Sequence, residues 1–219
     1  MKYILTVIAL AAIIFALPNR SNAQVYIDIS GGASLLNDWE ATSTEGGEEY
    51  NDTFKFDTGY AIYFEVGKKT DNRTLGLLLG ATRNEVSELD LEDLGTFTDV
   101  DLDWFNYPVL GTFSLSTQIT DNLSFNAGIA AGVNLAVAAS GVGSANDYND
   151  IEIEGVDIGF ILQAKAGLDL LLTDKVSLGL DYRFSANTAP EFETGLGDTI
   201  EGDDMLYGHF IGLGLNIAF

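Results

Sequence analysis

The chain of 219 residues contains no cysteine, three prolines and a single histidine, His209. The absence of cysteine excludes disulfides and thiol chemistry. A single histidine excludes a metal site built from several histidines of one chain. The side chains left for chemistry are carboxylates, hydroxyls, amides and a few amines.

Basic residues are also scarce: 10 lysines and arginines stand against 33 aspartates and glutamates, a net charge of −23. Such acidity excludes binding to nucleic acid or to an anionic lipid surface through broad electrostatic attraction. We interpret it as a solvated, self-repelling surface. The alternative is that divalent cations bind at acidic loops.

Only the N-terminus carries a long apolar run, residues 3–17, which follows Lys2. Small residues up to Ala23 then complete the pattern of a secretory signal peptide. We therefore expect residues 1–23 to be a signal peptide and residues 24–219 to be one mature domain; an uncleaved anchor helix is the alternative. Because no later stretch offers a run long enough for a helix to span a bilayer, membrane insertion would require strands.

Apolar residues recur at every second position in much of the sequence, and this alternation continues through residues 211–219. Large apolar residues alternate with glycine, asparagine, serine and charged residues in about eight segments. One face of the sheet is therefore apolar and the other polar. A bulky apolar face opposite a polar one with small residues is typical of a closed barrel in a membrane.

Three short segments around Asp71, Asp121 and Asp174 have the composition of tight turns. They divide residues 24–219 into four similar hairpins, which predict an eight-stranded antiparallel up-and-down transmembrane β-barrel with both termini at the turn end. The other connections are predicted to be long acidic loops that face outward from the cell. These connections are residues 37–55, 85–98, 140–155 and 187–203.

Several charged residues fall at inward positions of the predicted strands. A narrow lumen has to pair its charges, because an isolated buried charge is costly. The pattern predicts a polar network that plugs the barrel, with a gated narrow pore as the alternative. The residues of this network are Glu65, Lys165, Asp169, Asp181 and Arg183.

In the fourth predicted strand the apolar residues move from even-numbered to odd-numbered positions. Leu102 and Trp104 share one parity, whereas Tyr107 and Val109 share the other. One extra residue at 105–106, just before Pro108, would put the apolar residues of both halves on the same face of the strand. Proline is found at such bulges because it lacks the backbone N–H. We therefore predict a β-bulge there.

Asp99, Asp101 and Asp103 alternate along one strand face near a predicted outer loop. Three carboxylates on one face repel one another and favour a hard cation with oxygen ligands. They form a weak candidate cation site. Solvated acidity is the simpler interpretation.

His209 shares its parity with Ile211, which places it on the lipid-facing side near the outer interface. Lipid A deacylases of the outer membrane carry a His-x-Ser pair on that surface. Here the serine position is Ile211, so the pair is broken. We expect no enzymatic activity.

The last strand ends in an aromatic residue with apolar residues on the same face. This pattern resembles the signal that the barrel-assembly machinery of Gram-negative bacteria recognises, and it predicts that machinery as a partner during biogenesis. The residues of this assembly signal are Leu213, Leu215, Ile217 and Phe219.

Residues 104–110, Trp-Phe-Asn-Tyr-Pro-Val-Leu, resemble the aromatic-x-x-x-Pro-Leu-Leu strand of the porin-like outer membrane β-barrel domain family, which includes PorT-type and outer membrane protein X-like barrels. Residues 127–128, 156–160 and 180–184 are also similar to segments of that family. The resemblance covers nearly all of residues 24–219. It implies an outer membrane barrel without agreed catalytic residues.

Together these patterns predict a protein in contact with outer membrane lipid, with a structural or surface-interaction role and no cofactor. The alternative is a narrow porin-like channel for small solutes or ions. A lipid-modifying enzyme is a further possibility. So is a soluble lipocalin-like barrel, although such a barrel would need an apolar lumen and the chain lacks the Gly-x-Trp that lipocalins carry near their first strand.

Overall fold

The computed structural model describes residues 23–219 except 46–47, 71, 93–94, 140–141, 146–147, 195–198 and 203. The predicted signal peptide, apart from Ala23, therefore lies outside the described residues. Within them the chain forms thirteen strands, and no described helix is long and apolar enough to cross a membrane. The strands are β1 (Gln24–Leu36), β2 (Trp39–Glu45), β3 (Glu48–Phe56), β4 (Gly59–Lys69), β5 (Arg73–Leu91), β6 (Gly95–Thr120), β7 (Leu123–Ala139), β8 (Val142–Ala145), β9 (Tyr148–Thr173), β10 (Val176–Asn187), β11 (Glu191–Thr194), β12 (Thr199–Gly202) and β13 (Leu206–Ala218).

Eight of these strands close a ring, which we call the barrel. β1 pairs with β4 and β13, β5 with β4 and β6, β7 with β6 and β9, and β10 with β9 and β13, all antiparallel. Closure satisfies the backbone groups of every strand and leaves no free edge. The predicted eight-stranded antiparallel barrel is confirmed.

The outward face of the barrel is a belt of exposed large apolar side chains, as the alternation predicted. Ile129 is 67% exposed and Phe160 is 70% exposed. Exposed apolar side chains in this number are stable only against lipid. The apolar belt includes Tyr60, Ile62, Phe64, Leu79, Phe113, Leu115, Phe125, Ile129, Phe160, Leu162, Leu178, Leu180, Ile211, Leu213 and Leu215.

Tight turns join the strands at one end, which we call the turn end. Threonine hydroxyls organise all three. Thr70 Oγ1 donates to the backbone carbonyl of Arg73 at 3.2 Å, while Thr120 Oγ1 accepts from the backbone N–H of Leu123 at 3.2 Å. Thr173 Oγ1 accepts from the N–H of Val176 at 3.1 Å. A short side chain that bonds its own backbone in this way fixes a turn.

The opposite end, which we call the loop end, is built differently from the prediction. Most described residues of the four predicted long loops are strands. β5, β6, β7 and β9 continue past the belt, where β3, β2, β12 and β11 join them into a second closed ring. Both β6 and β9 have 26 residues, whereas crossing a bilayer takes about 9–11. The walls therefore extend well beyond the membrane.

The interior of this loop-end ring is apolar, the reverse of the barrel below it. Trp39 and Trp104 are almost completely buried, and their ring centroids lie 5.4 Å apart. Phe192 meets Trp104 edge to face at 5.1 Å. We call this cluster the aromatic core. Its buried residues are Trp39, Ala41, Phe54, Val86, Leu89, Phe97, Leu102, Trp104, Ala136, Ala138, Phe192, Ile200 and Leu206.

The predicted β-bulge at residues 105–106 is wrong. The register of β6 against β7 runs without a shift from Asp103 to Gln118. The register between β5 and β6 shifts elsewhere, between Val86 and Glu88. The backbone alternation of β6 is therefore continuous through residues 105–106.

The apolar residues of β6 change from one face of the strand to the other because the strand passes from the loop-end ring into the membrane. Leu102 and Trp104 point inward into the aromatic core, whereas Tyr107 and Val109 point outward toward lipid. Phe56 has the same even-numbered parity as the lipid-facing Tyr60, yet it packs against Trp104 at a centroid distance of 5.6 Å. In the loop-end ring the apolar side chains point into the ring, whereas in the membrane-spanning barrel they point out toward lipid.

Candidate functional site

The lumen of the barrel contains all five residues of the predicted polar network, at positions that alternate with the apolar belt. Glu65 on β4 is 4% exposed. Its Oε1 accepts hydrogen bonds from the hydroxyl of Tyr26 at 2.5 Å and from Oγ1 of Thr112 at 2.6 Å. Gly76 adjoins this group, because a Cβ there would lie 2.5 Å from the Tyr26 hydroxyl.

Asp181 stands between two cations. Lys165 Nζ lies 3.5 Å from its Oδ1, and Arg183 Nη2 lies 3.7 Å from its Oδ2. Residues 181 and 183 share a face because side chains of a strand repeat every two residues, and Lys165 on β9 lies directly opposite Arg183. Removing Asp181 would leave both cations without this partner, and removing either cation would leave Asp181 with only one.

Arg183 fills the middle of the lumen. Its side chain is 2% exposed, and Nη1 donates to Oε1 of Gln163 at 3.2 Å. The guanidinium lies over the ring of Tyr63, 4.6 Å from the centroid, with the ring of Phe210 at 5.9 Å. Cation–π contact and hydrogen bonds therefore hold the charge across the lumen.

Asp169 lies toward the turn end, where its Oδ2 accepts from Nδ2 of Asn126 at 2.8 Å. Asp28 on β1, also inward, is 6% exposed. Asp28 was not among the predicted lumen residues, although the alternation Tyr-Ile-Asp-Ile-Ser at residues 26–30 marks it as inward. The residues around Asp28 lie on strands that are distant in the sequence and become neighbours only when the strands pair.

The lumen around Arg183 is packed. Leu78 and Leu110 are fully buried there, in one apolar cluster with Tyr63 and Phe210. Next comes a group of amide side chains, in which Asn134 donates to Oδ1 of Asn106 at 2.7 Å and Asn84 donates to the carbonyl of Ser34 at 3.0 Å. The aromatic core closes the loop end.

Among the described residues, two small cavities lie within the lumen and a larger one lies at its turn-end mouth. Cavities of about 20 Å³ and 30 Å³ lie near Arg183 and near Asp28, each large enough for about one water molecule. A polar cup of about 620 Å³, bordered by Lys69 and Asp169, occupies the turn end. The barrel is therefore open to solvent at one end and filled above it.

The candidate cation site at Asp99, Asp101 and Asp103 is only partly described, since the side chains of Asp99 and Asp101 lie outside the described residues. Asp103 Oδ1 lies 2.8 Å from Nη2 of Arg83, which also contacts Glu85 at 3.1 Å. Where side chains are described, no three acidic or histidine residues are grouped to hold a metal ion.

Another ion pair on the loop-end wall joins Lys55 to Glu88, at 2.6 Å. The hydrogen bond and charge of Glu88 raise the pKa of Lys55 above its ordinary value. The lysine therefore stays charged throughout the physiological range.

His209 lies on the outward face among aromatic rings. Its Nδ1 is 2.8 Å from the hydroxyl of Tyr182, and the ring of Phe184 lies 5.3 Å away. Exposed Ile211 follows it on the same face. Aromatic side chains at such a level are typical of a membrane interface.

The residues of the predicted assembly signal lie on the outer face of β13 and at the C-terminus. Leu213, Leu215 and Phe219 are exposed, and Ile217 is partly exposed. This face is accessible to a partner before lipid covers it.

Comparisons with solved structures show the fold. The outer membrane protein OprG of Pseudomonas aeruginosa matches with a TM-score of 0.59 and 14% identity, over 90% of this chain and 97% of that one. The outer membrane protease OmpT of Escherichia coli matches with a TM-score of 0.56 and 12% identity, over 90% and 97%. No family model and no curated protein matches the chain.

One of these two structures is a protease, so the shared fold does not by itself assign an activity. The exposed apolar belt agrees with the fold, because only lipid can cover such a surface. The protein is an eight-stranded β-barrel of the outer membrane.

Proposed function

We propose that the protein is a closed barrel with a structural or surface-interaction role, which carries an acidic platform on the outside of the cell. The observation that carries this proposal is the filled lumen. Ion pairs, the apolar cluster of Leu78 and Leu110, the amide group and the aromatic core together fill the lumen. A channel would need a continuous polar path through these layers.

The loop-end ring supports the second half of the proposal. Its wall is a firm surface, because the aromatic core packs beneath it. Lys55 and Arg83 on this wall are each paired with carboxylates. The wall therefore favours basic partners, or divalent cations at Asp99, Asp101 and Asp103. Its exposed carboxylates include Asp38, Glu40, Asp57, Glu85, Asp90, Glu92, Glu191, Glu201 and Asp204.

The C-terminal strand supports a proposal about how the barrel is assembled. The exposed strand face that ends at Phe219 supports recognition by the barrel-assembly machinery. In the finished barrel, outer membrane lipid would cover the same face.

Planar-bilayer conductance tests the closed lumen. We expect refolded protein to give no current steps above the background of a heat-denatured sample. Reproducible single-channel steps would contradict the proposal and establish the narrow channel instead.

Adhesion of cells that display the protein tests the platform. Neutralising Glu40, Glu85, Asp90 and Glu201 to amides should reduce binding to amine-coated beads several-fold and leave binding to neutral beads unchanged. A control variant in which two exposed turn-end carboxylates, Asp121 and Asp174, are neutralised should behave like wild type. Equal binding by the loop-end variant and wild type would exclude the acidic wall as the contact surface.

A further inference from the structure

Asp28 is a buried carboxylate whose charge is incompletely balanced. It is 6% exposed, and its Oδ1 has no hydrogen-bond partner among the described residues. In the sheet it lies directly between Glu65 on β4 and Asn216 on β13. Its nearest acidic neighbour along the sheet is therefore another buried carboxylate, which is unfavourable for both.

The nearby cations are engaged elsewhere. Lys165 directs its ammonium to Asp181 at 3.5 Å, and Arg183 contacts Asp181 and the two aromatic rings. Four carboxylates face this part of the lumen, and with Lys69 at its edge there are three cations. One negative charge is left over among the described residues. The four carboxylates are Asp28, Glu65, Asp169 and Asp181.

A cavity of about 30 Å³ lies beside Asp28, and its charged lining residues are Asp28, Glu65, Asp169, Lys69 and Lys165. It has room for about one atom of the size of a water oxygen. Lys69 and Asp169 also border the cup of about 620 Å³ at the turn end. A small ligand can therefore approach Asp28 from the solvent on that side.

We propose that this cavity binds one small monovalent cation at the carboxylate of Asp28. A single positive charge completes the balance of the lumen, and the cavity fits an ion the size of ammonium or potassium. Calcium and magnesium fit less well, because they need several carboxylates around one point and no such group is found among the described residues. The cation can be a free ion, or the ammonium group of a molecule whose remainder occupies the cup.

Binding of rubidium-86 to the folded barrel in detergent tests the proposal, with choline chloride as the background salt because choline is too large for the cavity. We expect one rubidium ion per barrel. Asp28→Asn should abolish binding, and Asp174→Asn, which removes the same charge from an exposed turn, should retain it. No binding by wild type, or unchanged binding by Asp28→Asn, would overturn the proposal.

Competition then separates the two sources of the cation. Stronger displacement of rubidium by potassium than by methylammonium indicates a free ion, and the reverse indicates an amine ligand.

A second measurement covers the case in which Asp28→Asn does not fold. The heat-induced unfolding midpoint of wild type should be higher in ammonium chloride than in choline chloride at equal ionic strength, because a ligand of the native state stabilises it. Equal midpoints, together with an infrared band of a protonated carboxyl group, would show that a proton balances the charge and would contradict cation binding.

Discussion

At the scale of single residues, Arg183 is the charge on which the lumen depends most. It is almost fully buried, it faces Asp181, and it lies over the ring of Tyr63. Replacing Arg183 would leave the buried Asp181 with Lys165 as its remaining cation, and removing one partner of a buried ion pair is destabilising. The contacts of Arg183 therefore hold the polar half of the lumen together.

We expect Arg183→Met to lower the free energy of unfolding by about 3–5 kcal/mol, the usual effect of breaking a buried ion pair. The matched control is Arg73→Met at the exposed turn end, which should change stability by less than about 1 kcal/mol. Urea unfolding of both variants in lipid vesicles provides the measurement. If the two variants unfold at the same urea concentration, the arginine does not stabilise the lumen.

At the scale of elements, β6 shows how one strand serves two surroundings. Trp104 points into the aromatic core, whereas Phe113, nine residues further along the strand, is 41% exposed on the belt. The backbone between them is regular, so the two side chains lie on opposite faces of the wall. Truncation of the two side chains should therefore have different consequences.

Trp104→Ala should destabilise the protein by about 3–5 kcal/mol, because it leaves a cavity in a packed core. Phe113→Ala should have a smaller effect, since lipid chains can fill the space. Unfolding in urea compares the two, and retained heat-modifiability shows that each variant still folds. A larger loss from Phe113→Ala would mean that the loop-end ring is not packed as a core.

The same strand explains which parts of the fold the sequence predicted. The alternation around Phe113 and Ile129 revealed the barrel, because most outward positions in contact with lipid carry large apolar residues. The loop-end ring was missed because its apolar residues, such as Leu102 and Trp104, point the opposite way and looked like a break in the pattern. The alternation alone placed the five charged residues on the inward face. Asp28 became a candidate site only when strand pairing showed its neighbours on β4 and β13.

At the scale of the whole molecule, the two rings divide the protein into a part within the membrane and a part beyond it. The start of β1 and the end of β13 lie at the turn end, and the acidic walls lie at the other. Short turns face the periplasm in bacterial barrels. The loop-end ring should therefore stand outside the cell, and a net charge of −23 keeps such a surface soluble.

The absence of cysteine makes this orientation directly measurable, because each introduced cysteine is the only thiol of the chain. Thr96→Cys places it on the exposed loop-end wall, and Asn122→Cys places it in an exposed turn. A membrane-impermeant maleimide should label Thr96→Cys on intact cells, and Asn122→Cys only after the outer membrane is permeabilised. Wild type, which has no thiol, should remain unlabelled throughout. Labelling of Asn122→Cys alone on intact cells would invert the orientation and would place the acidic platform in the periplasm, where it could contact only periplasmic partners.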